Sequence, residues 1–154
     1  MKVFVADEQS EEVDAAWLRA LAIKVLEEER CPKDTELSVM LVGDEEMTRY
    51  NSQFMDRVGP TDVLSLLIEE LRPGLPPRRE ETGPPLMLGD VILDPAHIRR
   101  QAGDQGVLFE DQLALLTVHG VLHLLGYDHA DGVQADQMEE RERQLLAAIG
   151  KERP

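Results

Sequence analysis

Three of the four histidines fall within eleven residues, in the run His119-Gly-Val-Leu-His123-Leu-Leu-Gly126-Tyr-Asp-His129. Imidazole nitrogen is a common ligand of zinc and related metals, so spacing decides whether the three can share one ion. His119 and His123 are four residues apart. On a helix that spacing puts both rings on one face, with Cβ atoms about 5–6 Å apart. Gly126 follows three residues later and can take the left-handed conformation that ends a helix and reverses the chain. His129 lies three residues past that reversal, close enough to fold back toward the pair. Three neutral imidazoles leave a tetrahedral ion one open position, as in a catalytic zinc centre and unlike a closed structural one. A water in that position has its pKa lowered toward ~7.

A single histidine in an apolar helix is most simply a core residue with a satisfied hydrogen bond. Three around a helix-ending glycine point to one bound ion, with His119, His123 and His129 as ligands. Zinc fits best, although three histidines also hold nickel, copper or iron. The spacing overlaps the zinc-protease signature H-E-x-x-H-x-x-G-x-x-H, but Gly120 stands where those enzymes carry their general base. Glycine inside a helix costs about 1 kcal/mol relative to alanine. Gly120 therefore implies either room beside the ion or close packing of another element. Asp128, next to a ligand, either accepts from a histidine N–H or caps the turn through its own backbone. Thr61 and Asp62 either orient the cleft or simply make a turn. His97, near Arg99 and Arg100, reads as a surface residue. Arg72, Arg78 and Arg79 read as solvated loop charges diluted by Glu80 and Glu81, with RNA contact as the alternative. The alternating signs from Glu139 to Arg143 read as a solvent face.

The elements that must position these groups follow from periodicity. Leu108 to Leu125 is apolar nearly all round, which predicts a helix buried at the centre of the fold and carrying His119 and His123. Asp131 to Ile149 predicts a final polar helix, with Met138, Leu145 and Leu146 turned inward. Upstream, strands are predicted at Lys2–Ala6, Glu36–Val42, Thr61–Ile68 and Met87–Leu93. The third is apolar almost continuously, which predicts burial on both faces. Ser10 is the expected cap of a first helix, whose stripe is Val13, Trp17, Leu21 and Val25 and which Cys31-Pro32 ends. Asp44 caps a short helix, and Asp94-Pro95 opens another, with Asp94 as cap, running to about Ala102. Arg72 to Pro85 holds five of the nine prolines and reads as a surface loop. This order predicts an α/β (α+β) fold, a single domain over residues 1–154 with a mixed, mostly parallel four-stranded sheet packed by helices.

Composition narrows the function classes. At 154 residues the chain can bury a core without disulfides. No apolar run approaches the ~20 residues a membrane span needs, and the N-terminus turns acidic too early for a secretory signal. Cys31 is the lone cysteine, so the expected compartment is the cytoplasm. The net charge of −15 repels polyanions at long range, which excludes a sequence-independent nucleic-acid coat protein. A nucleic-acid enzyme remains open if a metal or an arginine supplies local positive charge. Arginine outnumbers lysine 12 to 4, which suits phosphate work or reflects host composition.

The histidine run, together with Gly59-Pro-Thr-Asp-Val-Leu-Ser65, Leu88-Gly-Asp-Val-Ile92 and the Met138-Glu139 step, resembles the YbeY family of metal-dependent endoribonucleases over most of the chain. The resemblance implies one zinc ion on His119, His123 and His129. It also implies a role in small-subunit rRNA 3′-end processing, ribosome maturation and quality control. The family commonly carries an arginine directly after the aromatic that precedes the Pro-Thr-Asp strand. Here Met55 follows Phe54, and Arg57 lies two residues further on. Arg57 either replaces that arginine or is a solvated loop charge. These features together predict a zinc-dependent hydrolase of single-stranded RNA, with no protein catalytic residue assigned beyond the ligands. Its expected partners are an rRNA precursor and the ribosome or ribosome-associated proteins, with no membrane. Two rivals stand beside it: a zinc peptidase-like hydrolase, and a non-catalytic ribosome-associated zinc-binding module with Asp128 closing the fourth position.

Overall fold

A computed structural model describes residues 1–75 and 83–154. Its elements are β1 (Lys2–Asp7), α1 (Ala15–Glu28), β2 (Glu36–Leu41), α2 (Asp44–Met55), β3 (Val63–Leu67), β4 (Met87–Leu93), α3 (Pro95–Gln105), α4 (Phe109–Leu124) and α5 (Gly132–Ala147). The sheet has the order β1-β2-β4-β3. β1, β2 and β4 run parallel, and β3 pairs antiparallel with β4. The predicted mixed sheet and α+β class are therefore observed.

One face of the sheet packs on α4, which also meets α1, α3 and α5. That surround explains why α4 is apolar nearly all round: eleven of its residues are buried, from Gln112 to Leu124. Each large aliphatic so enclosed contributes roughly 1.5–3 kcal/mol. The opposite face is covered by α2 at one end, where Met47 and Tyr50 meet Val42, Leu64 and Ile92. Met138, Leu145 and Leu146 of α5 are buried as predicted.

Several local expectations change. β3 is an edge strand, and Leu67 and Ile68 are exposed. Burial on both faces holds only at its start, where Val63 meets the main core and Leu64 meets Met47 of α2, and the run emerges into solvent at Leu67 and Ile68. The cap of α1 is Asp14, whose side chain accepts from the Trp17 N–H at 3.0 Å. Ser10 is unavailable as cap because Gln9 closes its own turn there, accepting from the Glu11 N–H and donating to the Glu11 carbonyl. The helix ends at Glu28 with Glu29 as its cap, and Arg30 in the left-handed region turns the chain before Cys31 and Pro32 are reached. Gly43 is the cap of α2, with Asp44 in its first turn. Asp94 caps α3 with Pro95 at the first helical position, as predicted. That helix runs three residues beyond Ala102, through Gly103, and stops at the left-handed Gly106.

Candidate metal centre

α4 ends where the sequence predicts. Gly126 has φ +101°, the Tyr127 N–H donates to the Leu122 carbonyl and the Gly126 N–H donates to the His123 carbonyl. This pair of bonds closes the helix end on a left-handed residue. A Cβ at Gly126 would stand 2.1 Å from the Leu71 carbonyl oxygen, so both backbone conformation and close approach require glycine. The reversal carries His129 back to the helix face that holds His119 and His123. One ligand nitrogen from each of the three lies within 4.8 Å of the others. The ring centroids are 4.6 Å (His119–His123), 5.6 Å (His119–His129) and 5.0 Å (His123–His129) apart.

The donor set suits a divalent metal. Burial, and then the neighbouring His119 and His129, hold the His123 imidazole down at about 4, so it is neutral at neutral pH with a lone pair to offer. His119 Nδ1 lies 3.0 Å from Glu142 Oε2, a carboxylate that is 3% exposed. Taking the proton on Nδ1 leaves His119 Nε2 as the free donor, the arrangement that orients histidine ligands in metal sites. Glu142 is the functional residue that the sequence reading missed. It lies inside the charged run Glu139–Arg143 that was expected to face solvent, and Arg141 beside it is only a quarter exposed.

A second brace holds the turn between the histidines. The buried Tyr127 hydroxyl donates to Glu29 at 3.1 Å, and Arg141 Nε donates to the same carboxylate at 2.9 Å. Burial, then the Glu29 charge, pushes the Tyr127 hydroxyl up to about 12, so it remains a donor. The end of α1, the turn that carries His129 and α5 are thereby locked together.

The three histidines open onto a cleft of about 400 Å³, whose other walls include Met55, Arg57, Asp62, Val63 and Leu67. The loop before β3 forms one lip. Asn51, buried, donates to the Gly59 carbonyl at 2.9 Å and accepts from the Arg57 N–H at 3.3 Å. Arg57 is exposed and borders the cleft, so it is more than a charge on a remote loop. Asp62 also borders it, but its carboxylate is engaged. Oδ1 accepts from the Val63 N–H, and Oδ2 accepts from Gln101 Nε2.

The other candidates settle differently. Asp128 Oδ1 accepts from the His129 backbone N–H at 2.8 Å, so it caps the turn. Gly120 serves close packing: a Cβ there would lie 2.7 Å from Val91 Cγ1 and 3.1 Å from Val63 Cγ2. Its carbonyl accepts from Ser65 Oγ at 2.8 Å. His97 lines a separate groove with Arg100, Gln101 and Asp104. Arg78 and Arg79, with Glu80 and Glu81, lie outside the described residues.

Comparisons with known proteins point to one family. A family model described as Endoribonuclease YbeY matches residues 4–150. A protein of Acidothermus cellulolyticus named Endoribonuclease YbeY is 44% identical over 149 residues, covering 96% of this chain and 91% of that protein. One of the same name from Thermobifida fusca is 42% identical over 147 residues, 96% of this chain and 93% of its own. The solution structure of a Thermotoga maritima protein shares the fold, with a TM-score of 0.58 and 23% identity over 96% of this chain and 91% of that one.

Proposed function

The chain belongs to the YbeY endoribonuclease family, and from that membership we propose that it hydrolyses RNA phosphodiester bonds with one ion held by His119, His123 and His129. The observation that carries the reading is the convergence of three imidazoles at the wall of an open cleft. Zinc matches an all-nitrogen set of three ligands. When bound, such an ion polarises a phosphoryl oxygen and lowers the pKa of a coordinated water.

The chain's own residues do the rest. Glu142 fixes the ring of His119. Tyr127, Glu29 and Arg141 hold the turn that delivers His129. Arg57, at the lip, is the cation of the described lining and meets a phosphate of the bound strand. Met55, Val63 and Leu67 give the cleft apolar wall against which a base can rest. The cleft suits a single strand, because an A-form duplex is too wide to enter it. With a net charge of −15, affinity for naked RNA is weak, and the ribosome or ribosome-associated proteins supply the rest. The substrate of this reading is the 3′ end of small-subunit rRNA precursor, processed in the cytoplasm by the whole of residues 1–154 acting as one domain. Among the described residues no single helix is long and apolar enough to cross a membrane.

The peptidase reading loses support at Gly120. A glutamate at that position would point into Val91 and Val63 of the sheet, so the proton acceptor of the zinc proteases has no room. The zinc-staple reading loses support at Asp128, whose carboxylate is committed to the turn.

The test is metal analysis of the purified protein together with cleavage of a single-stranded rRNA 3′-end fragment, before and after chelation. The expected result is about one zinc per chain and cleavage that disappears with the metal. His123→Ala is expected to lose both. Undiminished cleavage by metal-free protein would overturn the proposal.

A further inference from the structure

We propose that Arg153 is a positioning residue for the metal centre, acting through Glu142 on His119. The inference rests on the reading that the three histidines hold an ion. Glu142 is nearly buried and divides its two oxygens: Oε2 faces His119 Nδ1 at 3.0 Å, and Oε1 accepts from Arg153 Nε at 3.3 Å. Arg153 Nη1 also lies 3.4 Å from Glu139 Oε1. The guanidinium thus spans two carboxylates three residues apart on one face of α5.

The segment after α5 is built to deliver that group. Gly150 takes φ +76°, the Gly150 N–H donates to the Ala147 carbonyl and the Lys151 N–H donates to the Leu146 carbonyl. This is the same helix-ending pair of bonds that turns the chain after His123. Lys151 then donates to Asp111 Oδ1 at 2.8 Å, in the first turn of α4, and its ammonium lies 6.0 Å from the centre of the Trp17 ring. With Lys151 anchored, Arg153 falls beside Glu142.

Electrostatics gives the contact a purpose. A buried carboxylate without a counter-charge is costly, and Glu139 adds a second negative charge within reach of the same guanidinium. Arg153 supplies the opposing charge on the side away from the histidine. A guanidinium also fixes the plane of the carboxylate it binds. With Oε1 held, Oε2 keeps its aim at Nδ1, and the His119 ring is held for the ion. Losing outer partners of metal ligands typically weakens metal binding 10–100-fold, and a group one step further out falls at the low end.

The experiment titrates Co2+ into the metal-free full chain against a chromophoric chelator, in the wild type and in Arg153→Ala, Arg153→Lys and Arg143→Ala. Arg143 is the control, since it pairs with Glu139 and Glu140 but not with Glu142. Arg153→Ala is expected to weaken Co2+ binding about tenfold, Arg153→Lys to recover part of the loss, and Arg143→Ala to leave affinity unchanged. The midpoint of urea unfolding of the metal-free chain is expected to fall in Arg153→Ala, which strands the buried Glu142, and to stay near wild type in Arg153→Lys and Arg143→Ala. Equal affinities for Arg153→Ala and Arg143→Ala would overturn the proposal while leaving the metal centre standing. If Arg153→Ala does not fold, the Lys variant decides: Co2+ affinity below that of Arg143→Ala supports the proposal, and affinity equal to wild type overturns it. A wild type that takes up no Co2+ would instead overturn the metal reading itself.

Discussion

Gly120 lies against Val91 so closely that a methyl group on it would stand 2.7 Å from Val91 Cγ1. This is where the helix carrying His119 and His123 rests on the sheet, and Val91 is fully buried and has nowhere to move. Gly120→Ala therefore sets two effects against each other. Alanine gains about 1 kcal/mol of helix propensity, but overpacking a filled core costs about 1–3 kcal/mol. Net destabilisation of about 1 kcal/mol is expected in urea unfolding. The double variant Gly120→Ala with Val91→Ala should recover stability relative to the sum of the two single changes. Simple additivity would show that the contact is not what glycine serves there.

The Glu142 carboxylate is the partner of His119 Nδ1. Glu142→Ala removes that partner and leaves Arg153 facing a vacancy. Metal affinity is expected to fall about 10–100-fold, and RNA cleavage at limiting metal should fall with it. Saturating metal should restore much of the activity, because the three ligands remain. Activity that stays lost at saturating metal would mean that Glu142 does more than orient a ligand.

These two residues mark what sequence alone can reveal. The histidine trio is legible because its geometry is local: a four-residue helical step, a glycine that reverses the chain, and three more residues. The caps at Asp94 and Gly126 are legible for the same reason. Glu142 is hidden by its charged neighbours, although it shares a helical stripe with Met138 and Leu145, both buried. That spacing was the available signal, and it loses to sign alternation when read without a partner helix. β3 is misleading in the opposite sense. Its apolar side chains look interior, but its position at the sheet edge is set by pairing with β4, some twenty residues downstream. Which side of Gly120 needs space also depends on β4, so the sequence leaves both alternatives open.

Asp94 predicts a pH effect on stability. Its carboxyl is fully buried, with Oδ1 accepting from the His97 N–H and Oδ2 without a hydrogen-bond partner among the described residues. Burial, and then the Asp44 carboxylate beside it, pushes Asp94 from its ordinary 3.8 up to about 7. A proton shared with Asp44 supplies the missing donor. Below about pH 4 folded and unfolded chains both hold the proton, and the site's contribution is intact. As pH rises toward 7 the unfolded chain ionises first, and the folded chain must then ionise in a buried site, so this contribution is lost. Asp94→Asn keeps the helix cap and removes the titration. Relative to wild type, the variant is expected to gain about 1–3 kcal/mol between pH 5 and pH 8. Parallel stability curves across that range would count against a raised Asp94.

Tyr127 and Glu29 predict a loss of stability that propagates to the metal. Tyr127→Phe keeps the ring and removes the donor to a buried carboxylate. Arg141 still binds Glu29 Oε1, so the carboxylate is not stranded, and the expected cost is about 1–2 kcal/mol. His129 lies two residues away on the same turn, so metal affinity is expected to fall several-fold as well. Tyr127→Phe with wild-type affinity would show that the turn is held by its backbone alone.

Arg57 separates binding of the strand from the chemical step. It borders the cleft from the lip that Asn51 braces, and among the described residues no hydrogen bond or ion pair joins its side chain to the histidines. A phosphate held there is held equally in the ground state and in the transition state. Arg57→Ala is therefore expected to raise KM about tenfold with kcat little changed. Loss of one phosphate contact should also flatten the dependence of log KM on log salt by about 0.7, the contribution of one neutralised phosphate on a single strand. Lysine at the position should restore the salt dependence, since the point charge returns, but only part of the affinity, since the two-pronged geometry does not. A lowered kcat at unchanged KM and unchanged salt dependence would move Arg57 from the strand to the reacting phosphate, and the cleft would then have to be read with its bound strand running closer to His129.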